Sequence, residues 1–567
     1  MGRPEKIRLG DILVAQKLVS AEQLKLALEQ QKKSGRKLGR VLMDQGVVND
    51  EQICEAISRQ LNIAYVNLKF YNLNNDVVRR LPEAQARRFR AVVLEDKRSS
   101  YLVGMADPTD LFAFDEMTRL LKRDIEAAVV SEAMVLATID RVYRRTEAIS
   151  GLAKDLERDV GDDYIDFGTL GLGAGAEDAP VVKLLQSVFE DAVQVNASDV
   201  HVEPQEGRLQ IRFRIDGELM PQTQGDPKIA PALALRLKLM AGLDIAEKRM
   251  PQDGRMAVIA RDQRIDVRMS TMPTQFGESV VLRLLNRRST LQSLDTLGMP
   301  EDMYQRLQEI IHRSQGMVLV TGPTGSGKTT TLYAALSELN TVDRKIVTVE
   351  DPVEYRLAGI TQVQVNEKID LSFARVLRSV LRHDPDVILV GEIRDEETAH
   401  IALRAALTGH LVFSTVHTLD AASTPIRMID MGAPGFLVGT SVHAVIAQRL
   451  VRLICESCTA EQVPDSYEAR WLAAVLGPDY ASQKYFRGRG CSHCNGSGYA
   501  GRTGVYEMLE MTTELGMAAA HGDPNRFVTA ARATLKGRTI TDHALDLVRR
   551  GRTTVGEVVR VANQMEL

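Results

Sequence analysis

The hydrophobic pattern of residues 8–60 occurs twice in the same register. Apolar residues at helical spacing predict in each copy a short helix, a turn and a longer amphipathic helix. Ser20 with Gln23, and Asn49 with Gln52, start the longer helices as capping boxes. The matched positions are Arg8, Leu9, Gly10, Leu24, Leu28 and Gln31 in the first copy, and Lys37, Leu38, Gly39, Ile53, Ile57 and Gln60 in the second.

Polar residues repeat together with the apolar ones, because each copy begins with a basic residue and ends with Gln. This pattern predicts a surface with pseudo-two-fold symmetry that suits a two-fold ligand carrying phosphates and base edges. A duplicated helical hairpin that serves packing alone is the alternative, because Leu at helical spacing is usually a core residue.

The pattern after the repeats predicts three further regions. Short strands alternate with helical runs over 65–144, which predicts a small α+β subdomain that completes the N-terminal module. Residues 151–179 are acidic and poor in large apolar residues, as in a flexible linker. A second α+β domain follows, with a helix over 181–195 and arginine-rich strands at 201–202, 209–215, 264–269 and 279–285.

From residue 300 onward, strands and helices alternate with glycine-marked turns. This alternation predicts a RecA-like parallel sheet. Residues 505–567 are helix-rich by pattern. The predicted domains are therefore 1–146, a linker at 147–179, an α+β domain at 180–295 and an α/β domain at 296–567.

Composition is that of a soluble globular protein, with 44% hydrophobic and 26% charged residues. The net charge of −4 argues against attraction of the whole molecule to nucleic acid, and the 5% aromatic share provides few stacking platforms. No apolar run approaches the ~20 residues that cross a bilayer, and no signal region begins the chain. We therefore expect a cytoplasmic protein that reaches a membrane only through a partner.

Four of the five cysteines form two C-x-x-C pairs, Cys455 with Cys458 and Cys491 with Cys494. In a cytosolic enzyme this spacing predicts a tetrahedral Zn²⁺ site, and four thiolates make such a site structural. The long loop between the pairs predicts a small subdomain over 455–500. A thioredoxin-like redox pair is the alternative, although the surrounding pattern lacks that βαβ unit.

A phosphate loop follows an apolar strand and precedes a helical run from Thr330 to Leu339. The pattern G-x-x-x-x-G-K-[ST] predicts that backbone N–H groups surround the β-phosphate of a nucleotide and that Lys328 reaches the β- and γ-phosphates. The Thr329 hydroxyl would ligate Mg²⁺. The predicted nucleotide-binding residues are Gly322, Pro323, Thr324, Gly325, Ser326, Gly327, Lys328, Thr329 and Thr330.

Three segments downstream of this loop are predicted strands that carry carboxylates or histidines. They run from Ile346 to Glu354, from Asp386 to Glu392 and from His410 to His417. Carboxylates at the carboxyl end of parallel strands can orient water or Mg²⁺. Each segment alone is weak evidence, because an acid after a buried strand often caps a turn.

The three segments together resemble the Asp box, the Walker B box and the His box of the secretion ATPases. These are the hexameric motors of type II secretion and type IV pilus assembly. The resemblance covers residues 180–567 and implies a RecA-like ATPase core preceded by a PAS-like α+β domain. The tetracysteine insert is similar to that of the assembly branch. The implied partners are copies of the chain in a homo-hexamer and an inner-membrane platform protein.

The resemblance implies specific roles for six residues. Glu354 would orient the attacking water, and Glu392 would act on Mg²⁺. His410 and His417 would sense or position the γ-phosphate of ATP. Arg268 and Arg283 would fold over the nucleotide, where a guanidinium suits the charge that develops on the γ-phosphate.

The N-terminal repeats resemble the cyclic di-GMP-binding domain of the MSHA-type pilus extension ATPases. That family has Gly where the first copy has Lys17, while the second copy keeps Gly46. The second copy begins with Lys37, which cannot stack on guanine as Arg does, so Arg40 or Arg36 would compensate. The function implied is pilus extension regulated by cyclic di-GMP. Alternatives are a type II secretion ATPase, a motor on nucleic acid and a nucleotide sensor without turnover.

Overall fold

The structure is a computed structural model that describes residues 9–34, 38–143, 180–261, 263–285 and 292–564. Arg8, Lys37 and the linker predicted at 147–179 lie outside these residues. Within the described residues, no helix combines the length and the apolar composition that a membrane span requires.

The N-terminal repeats form two helical hairpins. The first contains α1 (Leu9–Ala15) and α2 (Ala21–Ser34), and the second contains α3 (Leu38–Asp44) and α4 (Asp50–Leu61). Both predicted capping boxes are confirmed, since each cap side chain and its partner exchange hydrogen bonds of 2.9 to 3.1 Å. Leu13 and Leu42, at matched positions, are both fully buried in the shared core.

A small α+β module follows the repeats, as predicted. Its three-stranded sheet pairs β1 (Ala91–Asp96) antiparallel to β2 (Ser100–Met105) and β2 parallel to β3 (Asp124–Val129). Four helices pack on this sheet, with α8 at the end of the described module: α5 (Asn75–Val78), α6 (Glu83–Phe89), α7 (Leu111–Leu121) and α8 (Glu132–Val142).

The next region is an antiparallel six-stranded sheet whose apolar face is covered by α9 (Pro180–Gln194) and α10 (Ala230–Ala241). In spatial order the strands are β6 (Glu218–Gly225), β5 (Arg208–Ile215), β4 (Asp199–Gln205), β9 (Gly277–Leu285), β8 (Gln263–Thr274) and β7 (Gln252–Ala260). Four strands were predicted. Strands β6 and β7 and helix α10 were not predicted. In β6, Pro221 and three Gln or Thr residues obscure the strand pattern.

The largest sheet has seven strands in the order β12 (Thr361–Gln364), β11 (Ile346–Glu350), β13 (Val387–Val390), β14 (Leu411–Val416), β10 (Gly316–Thr321), β15 (Val442–Ile454) and β18 (Tyr499–Glu510). In this spatial order, the first six strands, from β12 through β15, are parallel, as predicted. Strand β18 pairs antiparallel with β15. The central strands β10, β11, β13 and β14 are fully buried because helices cover both faces.

The helices of this region are α11 (Glu301–Ile311), α12 (Lys328–Leu339), α13 (Phe373–Val380), α14 (Glu396–Leu407), α15 (Thr424–Asp430) and α16 (Gly435–Ser441). Four more follow β18: α18 (Thr513–Ala520), α19 (Pro524–Leu535), α20 (Ile540–Arg549) and α21 (Val555–Asn563). These four helices confirm the prediction that residues 505–567 are helix-rich, although 505–510 complete β18.

A small insert joins β15 to β18. It contains the hairpin of β16 (Thr459–Glu461) and β17 (Phe486–Gly488) together with α17 (Ser466–Leu476). Because β15 and β18 are antiparallel partners, the insert lies at one end of the sheet and brings both C-x-x-C pairs together.

Candidate functional site

The phosphate loop follows the carboxyl end of β10 and leads directly into α12. Its three glycines have φ of 143° at Gly322, 79° at Gly325 and 89° at Gly327. A Cβ atom on Gly322 would lie 2.5 Å from the carbonyl oxygen of Gln448, so no side chain fits at that position. The loop therefore directs the first N–H groups of α12 toward an anion.

Lys328 is the first residue of α12, and its ammonium group folds back over the loop. Its Nζ donates to the carbonyl oxygens of Gly322 at 2.8 Å and Pro323 at 3.1 Å. Burial lowers the pKa of Lys328, while the nearby carboxylate of Glu392 opposes this shift. A partly buried ammonium group is stabilised by an anion beside it, so Lys328 suits the binding of a phosphate.

Ser326 offers a further sign that this loop binds a ligand. Its Oγ is buried and has no hydrogen-bond partner within the described part of the chain. A buried hydroxyl without a partner is unfavourable unless something else satisfies it. The residues of the loop therefore fit the triphosphate of a nucleotide, with Thr324, Thr329 and Thr330 beside it.

Gln448 on β15 holds the loop in place, and sequence reasoning did not identify it. Its Nε2 donates to the carbonyl oxygen of Ser326 at 2.6 Å, and its Oε1 accepts from Thr331 Oγ1 at 2.8 Å. The side chain is only 1% exposed. The available signal was a glutamine inside an otherwise apolar strand, since such a residue needs buried partners.

Glu392 follows β13 at the same edge of the sheet. Its carboxylate pairs with Arg394 Nη2 at 2.6 Å and with His417 Nε2 at 3.2 Å. His417 follows β14, and β14 lies between β13 and β10. The structure thus brings Glu392 and His417 together beside Lys328, as the parallel sheet predicts.

His410 lies away from this group. It precedes β14, where its carbonyl oxygen accepts from Gly316 N at 3.1 Å and its Nδ1–H donates to the carbonyl oxygen of Ala405 at 3.0 Å. The six residues of β14 separate the two histidines by ~20 Å. The prediction that both lie on the strand is wrong, because they flank it, and His410 does not reach the phosphate loop of its own chain.

The carboxylates after β11 have different surroundings. Glu350 is 4% exposed and accepts hydrogen bonds from the hydroxyl of Tyr333, from Thr348 Oγ1 and from Gln362 Nε2. Glu350 therefore stabilises the carboxyl end of β11 through buried hydrogen bonds. Glu354 is more accessible and pairs with Arg268 Nη2 at 3.2 Å.

Arg268 belongs to a row of charged side chains across the six-stranded sheet. Register pairs place Arg255 opposite Arg268, Arg268 opposite Arg283, Arg283 opposite Asp199, and Asp199 opposite Arg214. Like charges directly opposite each other destabilise a sheet, so the row needs anions. Asp199 supplies one, because Arg283 Nε donates to its Oδ1 at 3.0 Å.

Contacts with the large sheet complete the environment of this row. Arg268 Nη2 donates to the carbonyl oxygen of Val353 at 2.8 Å, and Arg255 Nη2 donates to Gln364 Oε1 at 3.1 Å. Burial lowers the pKa of Arg268, and the Glu354 carboxylate opposes this shift. The arginine row therefore faces the strand ends that carry Glu354.

The four cysteines of the insert converge on one point. Their sulfur atoms all lie within 4.8 Å of one another, and three sulfur pairs are 3.8 Å apart: Cys455 with Cys491, Cys458 with Cys494, and Cys491 with Cys494. A tetrahedral Zn²⁺ with bonds of ~2.3 Å requires sulfur separations of about 3.8 Å. Backbone N–H groups of Cys491 and Gly498 also donate to Cys494 Sγ at 3.2 Å. The donor set thus fits zinc.

The two N-terminal hairpins repeat their packing as well as their sequence. A Cβ atom on Gly10 would lie 2.9 Å from Leu24 Cδ1, and one on Gly39 would lie 3.0 Å from Ile53 Cγ2. Leu28 is 40% exposed, which is unusual for a Leu used only in packing. The other predicted ligand residues described here are Leu9, Gln31, Leu38, Arg40, Ile57 and Gln60, and Arg40 pairs with Asp44 at 3.7 Å.

Comparison with known proteins assigns two parts of the chain. Residues 174–560 match the family model described as Type II/IV secretion system protein, and residues 61–149 match the model described as MshEN domain.

Relatives match over most of the chain. The type IV pilus assembly ATPase PilB of Myxococcus xanthus (strain DK1622) is 40% identical over 565 residues, which is 97% of this chain and 98% of the relative. The type II secretion system protein E of Dickeya dadantii (strain 3937) is 45% identical over 494 residues, which is 85% of this chain and 97% of the relative. The X-ray structure of the Legionella pneumophila ATPase DotB shares the fold, with a TM-score of 0.50 and 23% identity over 67% of this chain and 95% of that one.

Proposed function

Because this chain belongs to the Type II/IV secretion system protein family and is an ATPase of that family, we propose that it drives extension of an MSHA-type type IV pilus under the control of cyclic di-GMP. The observation that carries this proposal is that Lys328, Glu392 and Glu354 lie at one edge of the large sheet, where Arg268 of the six-stranded sheet pairs with Glu354. The match to PilB extends over 97% of this chain and the match to protein E over 85%. This difference favours a pilus over a type II secretion system.

The proposed chemistry begins with binding of the triphosphate. Backbone N–H groups after Gly322 and the ammonium of Lys328 bind its β- and γ-phosphates. Thr329 and Glu392 would hold Mg²⁺, which when bound neutralises charge on the β- and γ-oxygens. His417 orients the carboxylate of Glu392 through its 3.2 Å contact.

Hydrolysis requires an oriented water and positive charge at the γ-phosphate. Glu354 orients the water, and Arg268 and Arg283 stabilise the developing negative charge. Since Arg268 pairs with Glu354 at 3.2 Å, a γ-phosphate would compete with this carboxylate for the guanidinium. Transfer of Arg268 to the phosphate would release Glu354 for its role toward water.

Glu392→Ala tests the ATPase site. We expect the variant to bind ATP but to lose phosphate release, because the loop is intact while Mg²⁺ loses a ligand. Glu338→Ala, an exposed position on α12, is the matched control and should retain turnover. Equal turnover by Glu392→Ala and the wild type would contradict the assignment.

We further propose that the two hairpins bind one cyclic di-GMP. The shared packing of Gly10 with Leu24 and of Gly39 with Ile53 supports a two-fold site. The MshEN match over residues 61–149 covers the α+β module that follows the hairpins. Calorimetric titration of the full chain should show binding, and Arg40→Ala should weaken it. Arg59→Ala on α4 is the control. No heat at about 50 µM ligand, far above a typical regulatory Kd, would end this part of the proposal.

The remaining proposals concern assembly. We propose four parts: a regulatory domain at 1–146, a linker at 147–179, an arginine-bearing domain at 180–295 and an ATPase domain at 296–567. Zn²⁺ at the four cysteines has a structural role. The motor is a homo-hexamer that docks on an inner-membrane platform protein from the cytoplasm and takes no nucleic acid polymer. Analytical ultracentrifugation with ATP tests the hexamer, and co-purification with the platform protein separates a pilus from a secretion system.

A further inference from the structure

The α+β module, residues 65–143, contacts the second cysteine pair of the insert. His493 lies between Cys491 and Cys494, and its ring bridges two parts of the module. Its Nδ1 accepts from Arg141 Nη1 at 2.7 Å, and its Nε2–H donates to the carbonyl oxygen of Leu68 at 2.8 Å. Both bonds are made by a single neutral tautomer, because the guanidinium can only donate and the carbonyl can only accept.

Ion pairs surround this bridge. Lys69 pairs with Glu456, which follows Cys455, and Asp140 on α8 pairs with Arg261 at 3.5 Å. Lys69 and Glu456 are both more than 40% exposed, so this pair contributes little by itself. Arg141 therefore contributes more to the free energy of the contact between the module and the insert than the Lys69–Glu456 pair does.

Arg141 is a partly buried cation without a carboxylate partner among the described residues. Its Nη2 donates to Thr138 Oγ1 at 3.4 Å, and its Nε is buried without a hydrogen-bond partner in the same part of the chain. Burial lowers the pKa of Arg141, and within the described part of the chain the cysteines Cys491 and Cys455 act in the opposite direction. A buried guanidinium needs a compensating anion.

The cysteine cluster supplies that anion once it holds zinc. Coordinated thiols are deprotonated, so four thiolates around Zn²⁺ carry a net charge of about −2. We propose that the zinc-loaded second cysteine pair is the docking surface for the α+β module. Arg141, which His493 holds beside the cluster, is the cation that compensates the charge of the tetrathiolate, and loss of the metal releases the module.

Docking at this surface bears on the nucleotide site. The same helix α8 lines a cavity of about 910 Å³ through Asp140 and Arg141, and this cavity extends to Gly327 and Thr330. The docked module is thus one wall of the space beside the phosphate loop. This inference rests on the zinc assignment of the proposed function but not on pilus extension or cyclic di-GMP.

Hydrogen exchange of the full chain, combined with zinc analysis by mass spectrometry, tests the docking. In Arg141→Gln, the backbone amides of α8 and of the Leu68 loop should exchange at least about tenfold faster, because a buried charge contact is lost. Zinc content should stay at one per chain. Removing zinc from the wild type with a chelator should produce the same change in α8. Arg119→Ala, an exposed arginine of the same module, is the control and should behave as the wild type.

The outcomes separate the possibilities. Unchanged exchange in α8 after chelation would overturn metal-dependent docking, and unchanged exchange in Arg141→Gln would overturn the role of Arg141. Loss of zinc from Arg141→Gln would also contradict the proposal, since the arginine would then build the metal site itself. Absence of zinc from the purified wild type would overturn both this inference and the metal assignment, while leaving the ATPase assignment intact.

Discussion

Replacing Arg268 with alanine should abolish most ATP turnover while leaving nucleotide binding largely intact. The substitution removes the 2.8 Å hydrogen bond to Val353 and the 3.2 Å ion pair with Glu354. These contacts join the six-stranded sheet to the large sheet, and hydrogen bonds to charged groups contribute about 1.5–3 kcal/mol each. We therefore expect the two sheets to separate more easily in the variant.

The effect on turnover follows from charge at the γ-phosphate. Loss of an arginine that stabilises phosphoryl transfer lowers kcat by about 10³ to 10⁵. Arg255 and Arg283 lie directly opposite Arg268 in the register of the sheet, about 5 Å away between Cα atoms. Because these neighbours retain positive charge at the site, we expect a loss of about 10³ in kcat, at the lower end of that range.

The assay is phosphate release at saturating ATP and Mg²⁺, with nucleotide affinity measured separately by fluorescence. Arg264→Ala is the matched control, because Arg264 lies on the same strand and the same face but is exposed. Its kcat should stay within about twofold of the wild type. If Arg268→Ala retained more than half of the wild-type turnover, or if Arg264→Ala lost as much, the reasoning from the arginine row would be refuted.

Three further predictions concern the repeats, the metal and pH. Lys17→Gly should raise the stability of the first hairpin by about 0.5–1 kcal/mol, because Lys17 has φ of 60° at the position where Gly46 has 69°. Gly46→Ala should destabilise the second hairpin for the same reason. Hydrogen exchange of the hairpin amides measures both effects. Cys458→Ser should reduce bound zinc well below one per chain in metal analysis; full retention would contradict the four-thiolate site. Burial raises the pKa of Glu557, but hydrogen bonds from Arg560 and Arg452 outweigh it and lower the pKa below its usual value. Glu557→Gln should therefore lose about 3 kcal/mol at pH 7, and denaturation at several pH values should show the difference vanish as pH falls below the folded pKa of Glu557.

Much of the fold follows from local pattern. The repeats were predicted because their apolar positions match in register and each longer helix begins with a capping box. The large sheet was predicted because β10, β13 and β14 are apolar runs bounded by glycine. Strand β6 was not predicted, since Pro221 and the polar residues after it interrupt its apolar pattern. Strand β7 was not predicted, since its first four residues are polar or glycine. Their strand conformation is imposed by pairing with neighbours distant in sequence, which single-sequence patterns do not reveal.

The sequence predicted at which edge of the sheet the site lies, but it did not predict which side chains contact each other there. A motif places Lys328 and Glu392 together because parallel strands end at one edge. The motif does not show that Glu350 accepts hydrogen bonds from buried neighbours, whereas Glu354 pairs with Arg268. Gln448 and Arg141 were also missed, because their roles depend on partners more than 100 residues away.

Strand β15 connects two chemical centres, the phosphate loop and the cysteine cluster. Gln448 on β15 binds the phosphate loop through the carbonyl oxygen of Ser326. Cys455 follows the end of β15, seven residues after Gln448, which is about 23 Å for an extended chain. Pivoting the strand by about five degrees at the loop would carry the sulfur cluster through about 2 Å. The contact between His493 and Arg141 spans only 2.7 Å, so it would register such a tilt. Hydrogen-exchange rates of the α8 amides, followed through one catalytic cycle, would therefore report the nucleotide state at the opposite end of β15.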